Sequence, residues 1–413
     1  MKVEFRNLGP VKKATLDMRP LTVVIGPNNT GKTHLAHTVY WAHKRFAQLG
    51  AAQMAPTDPR SARVAQTAAS VDELWRSCWQ AAAEQAGNEF STAVPADPFA
   101  AAGLVAARST EWARDAEAHL ADRGLRQMAK RVAAAWSQRQ ELAAVGLGEV
   151  VAFVAERTSL LDFWQLHNAA TSRLVENQSV GVDDDSGLKS MFGSPLLALF
   201  SVLNDVAYDD GDNGSEPARA SFRALAETLV TNMQGGDRIV MDPASPVPKP
   251  VLRMASGATV SIDHAAAATK QLVALVWWLG SRAHSGAVIV IDEPELNLHP
   301  ENQARLTEGL AILVKLGVRV FVTTHSTYVV DHLNNLMGLY ALDAKKRAGI
   351  VPKLKLQDER AILDPEMVAV CETTNKGGVK DRLDRAKVMV DWQTLGKVSD
   401  YVGDMQSLIW DAR

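Results

Sequence analysis

Cysteine is scarce in this chain: Cys78 and Cys371 are the only two in 413 residues, and they form no CxxC pair. A disulfide framework and a cysteine-based zinc site are therefore not expected, and a reducing compartment is. Long apolar runs are also missing. The longest, residues 272–280, is closed by Ser281-Arg282, well short of the ~18 unbroken apolar residues of a membrane span. The opening Met1-Lys2-Val3-Glu4-Phe5-Arg6 has no apolar stretch of the signal-peptide kind. These absences predict a cytoplasmic protein that does not engage a membrane. Charge of one sign is missing too. Lys plus Arg number 44 against 47 Asp plus Glu, a net charge of −3. Whole-chain charge thus gives no argument for nucleic acid, although a local basic patch stays open. There is no internal repeat.

What is present is ordinary globular material, 47% hydrophobic and 22% charged. At ~150 residues per domain, two to three domains are expected. Val3 and Phe5 alternate with polar residues, and Leu21-Thr22-Val23-Val24-Ile25 is an apolar, β-branched run. Both predict strands, the second a buried central one. A helix is expected from about Thr33, with Leu35, Val39 and Phe46 on its apolar positions. Residues 47–235 are Ala-rich and read as a helical insertion. Stripes such as Trp75/Trp79, Leu125/Met128/Val132/Trp136 and Phe222/Leu225/Leu229/Met233 predict packed helix faces. Two acidic stretches, 183–185 and 209–214, read as solvated turns. The second lacks two calcium ligands, since Gly211 and Ala220 occupy the third and twelfth loop positions. Strand signals return at 238–241 and 251–254. A helix over 265–279, a strand over 287–291, a helix marked by Leu306, Leu310 and Leu313, and a strand over 318–323 follow. This alternation predicts a mostly parallel sheet covered by helices.

Gly26-Pro27-Asn28-Asn29-Thr30-Gly31-Lys32-Thr33 fits G-x-x-x-x-G-K-[ST], between the apolar strand and the helix. In such a loop the backbone N–H groups turn inward around phosphate oxygens, helped by the helix N-terminus. Lys32 reaches the β and γ phosphates, and the Thr33 hydroxyl ligates Mg²⁺. Ile289-Val290-Ile291-Asp292-Glu293-Pro294 supplies the second half. Its strand delivers Asp292 as a Mg²⁺ ligand and Glu293 as the general base on the attacking water. A third strand ends in Thr323-Thr324-His325-Ser326, placing His325 to hydrogen-bond the γ-phosphate or orient the water. ATP and Mg²⁺ are the expected cofactors.

This order of motifs resembles a known group. A phosphate loop, a long helical insertion, Asp-Glu-Pro-Glu-Leu-Asn-Leu-His-Pro at 292–300 and Thr-Thr-His-Ser at 323–326 are similar to the ABC-type ATPases of the RecF, SMC and OLD (overcoming lysogenisation defect) group. The nearest resemblance is to stand-alone bacterial AAA family ATPases related to OLD, many of which sit in anti-phage defence systems. It covers about residues 1–45 and 236–345. Segments 364–368 and 388–391 are also similar, less specifically. The resemblance implies an α/β P-loop ABC-type head in four parts: 1–46 with the phosphate loop, the insertion 47–235, 236–345 with a signature-like helix, and the extension 346–413. It implies heads that dimerise around ATP, with a signature loop of one capping the γ-phosphate on the other. At 264–271 the Ser-Gly signature is absent, and Thr269 and Lys270 are the only obvious substitutes. The resemblance also assigns Asn7, with the loop after the first strand, to the adenine base. His299-Pro300 has two open readings, dimer interface or contact with its own domain.

OLD nucleases carry a Toprim domain with clustered acids. The stretch after His325 has no D-x-D with a partnering glutamate, so no nuclease activity is expected. The mixed-charge stretch 376–387 reads as a solvated helix face rather than a DNA contact. The leading expectation is an ATP-switched homodimer controlling a separate effector, a nuclease or toxin, in anti-phage defence. The alternative is a RecF- or SMC-like ATPase that clamps duplex DNA.

Overall fold

The computed structural model describes residues 2–54, 150–153, 155, 217–234, 236–242 and 250–411. The chain divides into two compact units. The first comprises residues 1–36, 291–315 and 319–413, and the second residues 37–290 and 316–318.

The first unit is an α/β fold built on a mostly parallel sheet. β3 (Leu21–Ile25) lies between β9 (Arg319–Thr324) and β10 (Val368–Thr373), parallel to both. β11 (Val379–Asp381) closes the edge antiparallel to β10. Every residue of β3 and β10 is buried, so the continuous apolar run at 21–25 is that of a strand covered on both faces. β1 (Lys2–Leu8) and β2 (Val11–Asp17) form the antiparallel hairpin whose alternation is visible in the sequence. Lys12 N–H donates to Gly377 O at 2.8 Å, tying this hairpin to the turn that follows β10. α1 (Lys32–Met54) begins at the phosphate-loop lysine. β8 (Val288–Asp292) brings its last two residues into this unit. α4 (Pro300–Lys315) and α5 (Thr327–Ala341) follow β8 and β9 in turn. α6 (Ala344–Ile350) comes next, then a hairpin of β12 (Leu383–Asp384) and β13 (Met389–Val390), and finally α7 (Gln393–Asp411).

The second unit contains β4 (Val150–Phe153), α2 (Pro217–Gln234), the antiparallel sheet β5 (Gly236–Met241), β6 (Pro250–Met254) and β7 (Thr259–Ser261), and α3 (Ala267–Ser281). The stripe Phe222, Leu225, Leu229 and Met233 is buried on α2, as its spacing predicts. Phe153 packs edge-on to Trp278 at 6.2 Å between ring centroids.

Two expectations need correction. The stretch 47–235 is not helical throughout, since Val150–Phe153 is a strand. Its β-branched pair Val150-Val151 favours that conformation. The Trp75, Leu125 and acidic-loop readings lie outside the described residues, as does Cys78. The stretch 376–387 is not a helix face either. It forms β11, a turn and β12, because Arg382 turns inward to the buried Glu372 and Arg385 donates to Pro365 O at 2.8 Å and Val368 O at 3.1 Å. No described helix is long and apolar enough to cross a membrane.

Candidate functional site

Residues 26–33 bridge the end of β3 and the start of α1. The loop needs backbone that few residues adopt: φ is +139° at Gly26, +60° at Asn29 and +95° at Gly31. A Cβ on Gly26 would lie 2.5 Å from the Thr373 carbonyl oxygen. Glycine is thus required there by close backbone approach as well as by φ. Thr373, the last residue of β10, braces the loop. Its hydroxyl donates to Ile25 O at 3.2 Å and sits 2.6 Å from Thr30 Oγ1, which donates to Pro27 O at 2.7 Å.

Lys32 is buried, its ammonium donating to Gly26 O at 3.1 Å and Pro27 O at 2.8 Å. Burial lowers its pKa, opposed by the negative charges of Glu293, Asp292 and Glu295. The cation is thus held over the loop by carbonyl oxygens, the position from which it would meet a polyphosphate. Thr33 Oγ1 donates to Asp292 Oδ2 at 2.9 Å. Hydroxyl and carboxylate are hard oxygen donors of the kind Mg²⁺ takes. Among the described residues no group of three or more His, Cys, Asp or Glu suits a metal. That fits an ion held by one carboxylate, one hydroxyl and substrate phosphates. Thr33 and Asp292 would hold Mg²⁺, and bound Mg²⁺ neutralises charge on the transferring phosphoryl group.

The acidic strand end is fixed from β9. Thr323 Oγ1 donates to Asp292 Oδ1, and Glu293 N–H donates to Thr323 O at 3.1 Å. Glu293 itself has φ +47°. That left-handed conformation is uncommon for a residue with a side chain and recurs where structure aims a functional group. Glu293 Oε1 lies 2.9 Å from His325 Nε2, and both side chains remain about 30% exposed. A carboxylate and an imidazole in contact at the rim can together hold and deprotonate a water.

Glu295 was not singled out by its motif, yet it organises this rim. It is buried, and its Oε1 accepts from Thr324 Oγ1 at 2.6 Å and from His325 N–H at 2.8 Å. Burial pushes its pKa up, only partly offset by those hydrogen bonds. Glu295, Thr323 and Thr324 all stand inside the two motif stretches, so the sequence held a signal for them. Thr373 had none, because it lies 343 residues from Thr30.

Lys32, Thr33, Asp292, Glu293 and His325 all fall in the first unit, where the printed contacts join Thr33 to Asp292 and Glu293 to His325. Asn7 is a residue of β1 rather than of the loop after it; the turn is formed by Gly9-Pro10. His299 is exposed and immediately precedes α4, where its Nδ1 accepts from Glu301 N–H at 3.4 Å. Thr269 is buried in the first turn of α3, in the second unit.

Residues 228–331 match a family model described as "AAA domain, putative AbiEii toxin, Type IV TA system". The match includes Asp292, Glu293 and His325 and covers less than half of the chain. One similar solved structure is a crystal structure of the Smc head domain with an extended coiled coil, bound to the C-terminal domain of ScpA, from Pyrococcus furiosus. It is 12% identical over 98% of each chain, with a TM-score of 0.36. No curated protein matches the chain. A complete phosphate loop, the Thr33–Asp292 contact beside it and the AAA-domain match identify a P-loop ATPase domain, an architecture that binds nucleotide.

Proposed function

We propose that the chain binds MgATP, dimerises on it, hydrolyses it and by that cycle switches a separate effector, in bacterial anti-phage defence. The observation that carries the ATPase part is the Glu293–His325 pair at 2.9 Å, beside the Asp292–Thr33 contact. Lys32 and the loop residues Gly26, Pro27, Asn28, Asn29, Thr30 and Gly31 hold the phosphates. Thr33 and Asp292 take the metal, Glu293 is the base, and His325 orients the water or the γ-phosphate. The dimer and the effector rest on the resemblance to RecF, SMC and OLD proteins. The toxin–antitoxin wording of the matched model supports a toxin or nuclease as the effector.

The test pairs two variants. Lys32→Ala removes the cation that meets the phosphates, and turnover is expected to fall by on the order of 10²-fold or more. Glu293→Gln keeps the shape and removes the base, and kcat is expected to fall by about 10²–10⁴-fold with ATP still bound. Light scattering of Glu293→Gln should show a doubled mass with ATP. A mass indifferent to ATP would remove the dimerising switch, and wild-type turnover in Lys32→Ala would move the site elsewhere. ATPase rates with and without duplex DNA separate the DNA-clamping alternative, which requires stimulation that salt suppresses.

A further inference from the structure

Helix α7 presents four large apolar side chains to solvent. Tyr401, Met405, Leu408 and Ile409 are 62, 43, 70 and 52% exposed. At 3.6 residues per turn they fall on one stripe about 100° wide, the pattern of a helix that buries that face against something. Asp404 and Asp411, both exposed, border one edge of the stripe.

A complementary surface lies elsewhere in the same unit. α4, α5 and residues 350–356 enclose a cavity of about 600 Å³, whose apolar wall is Leu336, Leu339, Leu342, Ile350, Leu354 and Leu356. Ile350 and Leu354 stand open at its lip, 39 and 37% exposed. Residues 344–355 carry five basic side chains and no acidic one. Lys345, Lys346, Lys353 and Lys355 are exposed there. The groove therefore offers an apolar floor and a cationic rim. The helix offers an apolar stripe, two carboxylates and the partial negative charge of its C-terminal end. The stripe is exposed in its own chain, so the occupant of the groove comes from another molecule. A second copy carries both surfaces, and a reciprocal exchange satisfies both at once with two-fold symmetry.

We propose that helix α7 of one copy docks in the α4–α5 groove of a second copy, joining two chains by mutual exchange of their C-terminal helices. This dimer requires no nucleotide, which separates it from the ATP-driven association proposed above.

Sedimentation of the full-length, nucleotide-free chain tests it, with Lys32→Ala as a second background. A concentration-dependent dimer is expected, weakened by salt because the rim pairs charges. Leu408→Asp on the stripe and Leu354→Asp in the groove should each weaken it at least tenfold. Asp404→Lys with Asp411→Lys should weaken it, and Lys353→Glu with Lys355→Glu should restore it. Mixing a Leu408→Cys chain with a Leu354→Cys chain, both also Cys78→Ser, should give a disulfide-linked pair between the two different chains on oxidation. These cysteines replace exposed residues, so this arm does not depend on the more disruptive aspartates folding. A chain that stays monomeric into the tens of micromolar overturns the proposal. So does a dimer indifferent to Leu408→Asp, or a mixture that yields no cross-link between the two different chains.

Discussion

Glu295 is a carboxylate buried with one oxygen satisfied and the other, Oε2, without a hydrogen-bond partner among the described residues. Its raised pKa has a consequence for stability in the nucleotide-free protein. Between the unfolded value near 4.5 and the higher folded value, the folded state holds the proton more tightly. Stability from this group is therefore complete below pH 4.5 and is lost as pH rises through the folded pKa. Glu295→Gln keeps an acceptor for Thr324 and His325 and removes the charge. Urea unfolding should then show a variant more stable than wild type at neutral pH, with the gap closing on acidification. A gap that widens on acidification would mean that the charged form is the stabilised one. Cys371 gives a second single-residue expectation. It is buried in β10, and burial pushes its thiol up to about 12, with Asp381 adding to the effect. A thiolate is the reactive form. In a Cys78→Ser background the native chain should take up no iodoacetamide at pH 8, and the urea-unfolded chain should take up one equivalent.

Between elements, one buried carboxylate links three segments. Glu308, on α4, is 2% exposed. Its Oε1 lies 3.0 Å from His332 Nε2 on α5 and 3.3 Å from an Arg305 guanidinium nitrogen. Its Oε2 accepts from Gln357 N–H at 2.9 Å. Arg305 also donates to Lys355 O. This network anchors the 354–357 segment against both helices and so shapes the basic-rimmed groove. Glu308→Ala leaves partners unpaired in a buried place and should cost about 3–5 kcal/mol. Glu308→Gln keeps the acceptor for Gln357 and should cost less. Denaturant midpoints of the two variants check the order; equal losses would mean that packing volume, not the polar network, carries the effect.

At the scale of the whole molecule, the chain divides into two compact units, and Lys32, Thr33, Asp292, Glu293 and His325 all belong to the first. A chain of this kind need not unfold in one step. A ligand that binds only the folded site stabilises by about 2.7 kcal/mol at a hundredfold excess over Kd. Hydrogen exchange with saturating MgATP should accordingly slow the amides of β3, β9 and β10 more than those of β5 and β6. The same experiment on Lys32→Ala should show no difference between free and nucleotide-treated protein. Slowing confined to the second unit would place the nucleotide away from residues 26–33.

The sequence by itself determined what is local. Eight consecutive residues, 26–33, suffice for a phosphate loop because its backbone turns and its lysine are neighbours along the chain. The apolar run at 21–25 declares a buried strand, and the stripe from Phe222 to Met233 a buried helix face, because periodicity is a property of adjacent residues. Tertiary structure decided what depends on burial and on distant partners. It placed Thr373 under the loop across 343 residues, turned Arg382 from a solvated charge into the partner of buried Glu372, and made Glu295 the anchor of His325. A side chain's charge is written in its residue type. The desolvation it suffers and the dipoles it meets are set by elements far away in sequence, and those decide what it does.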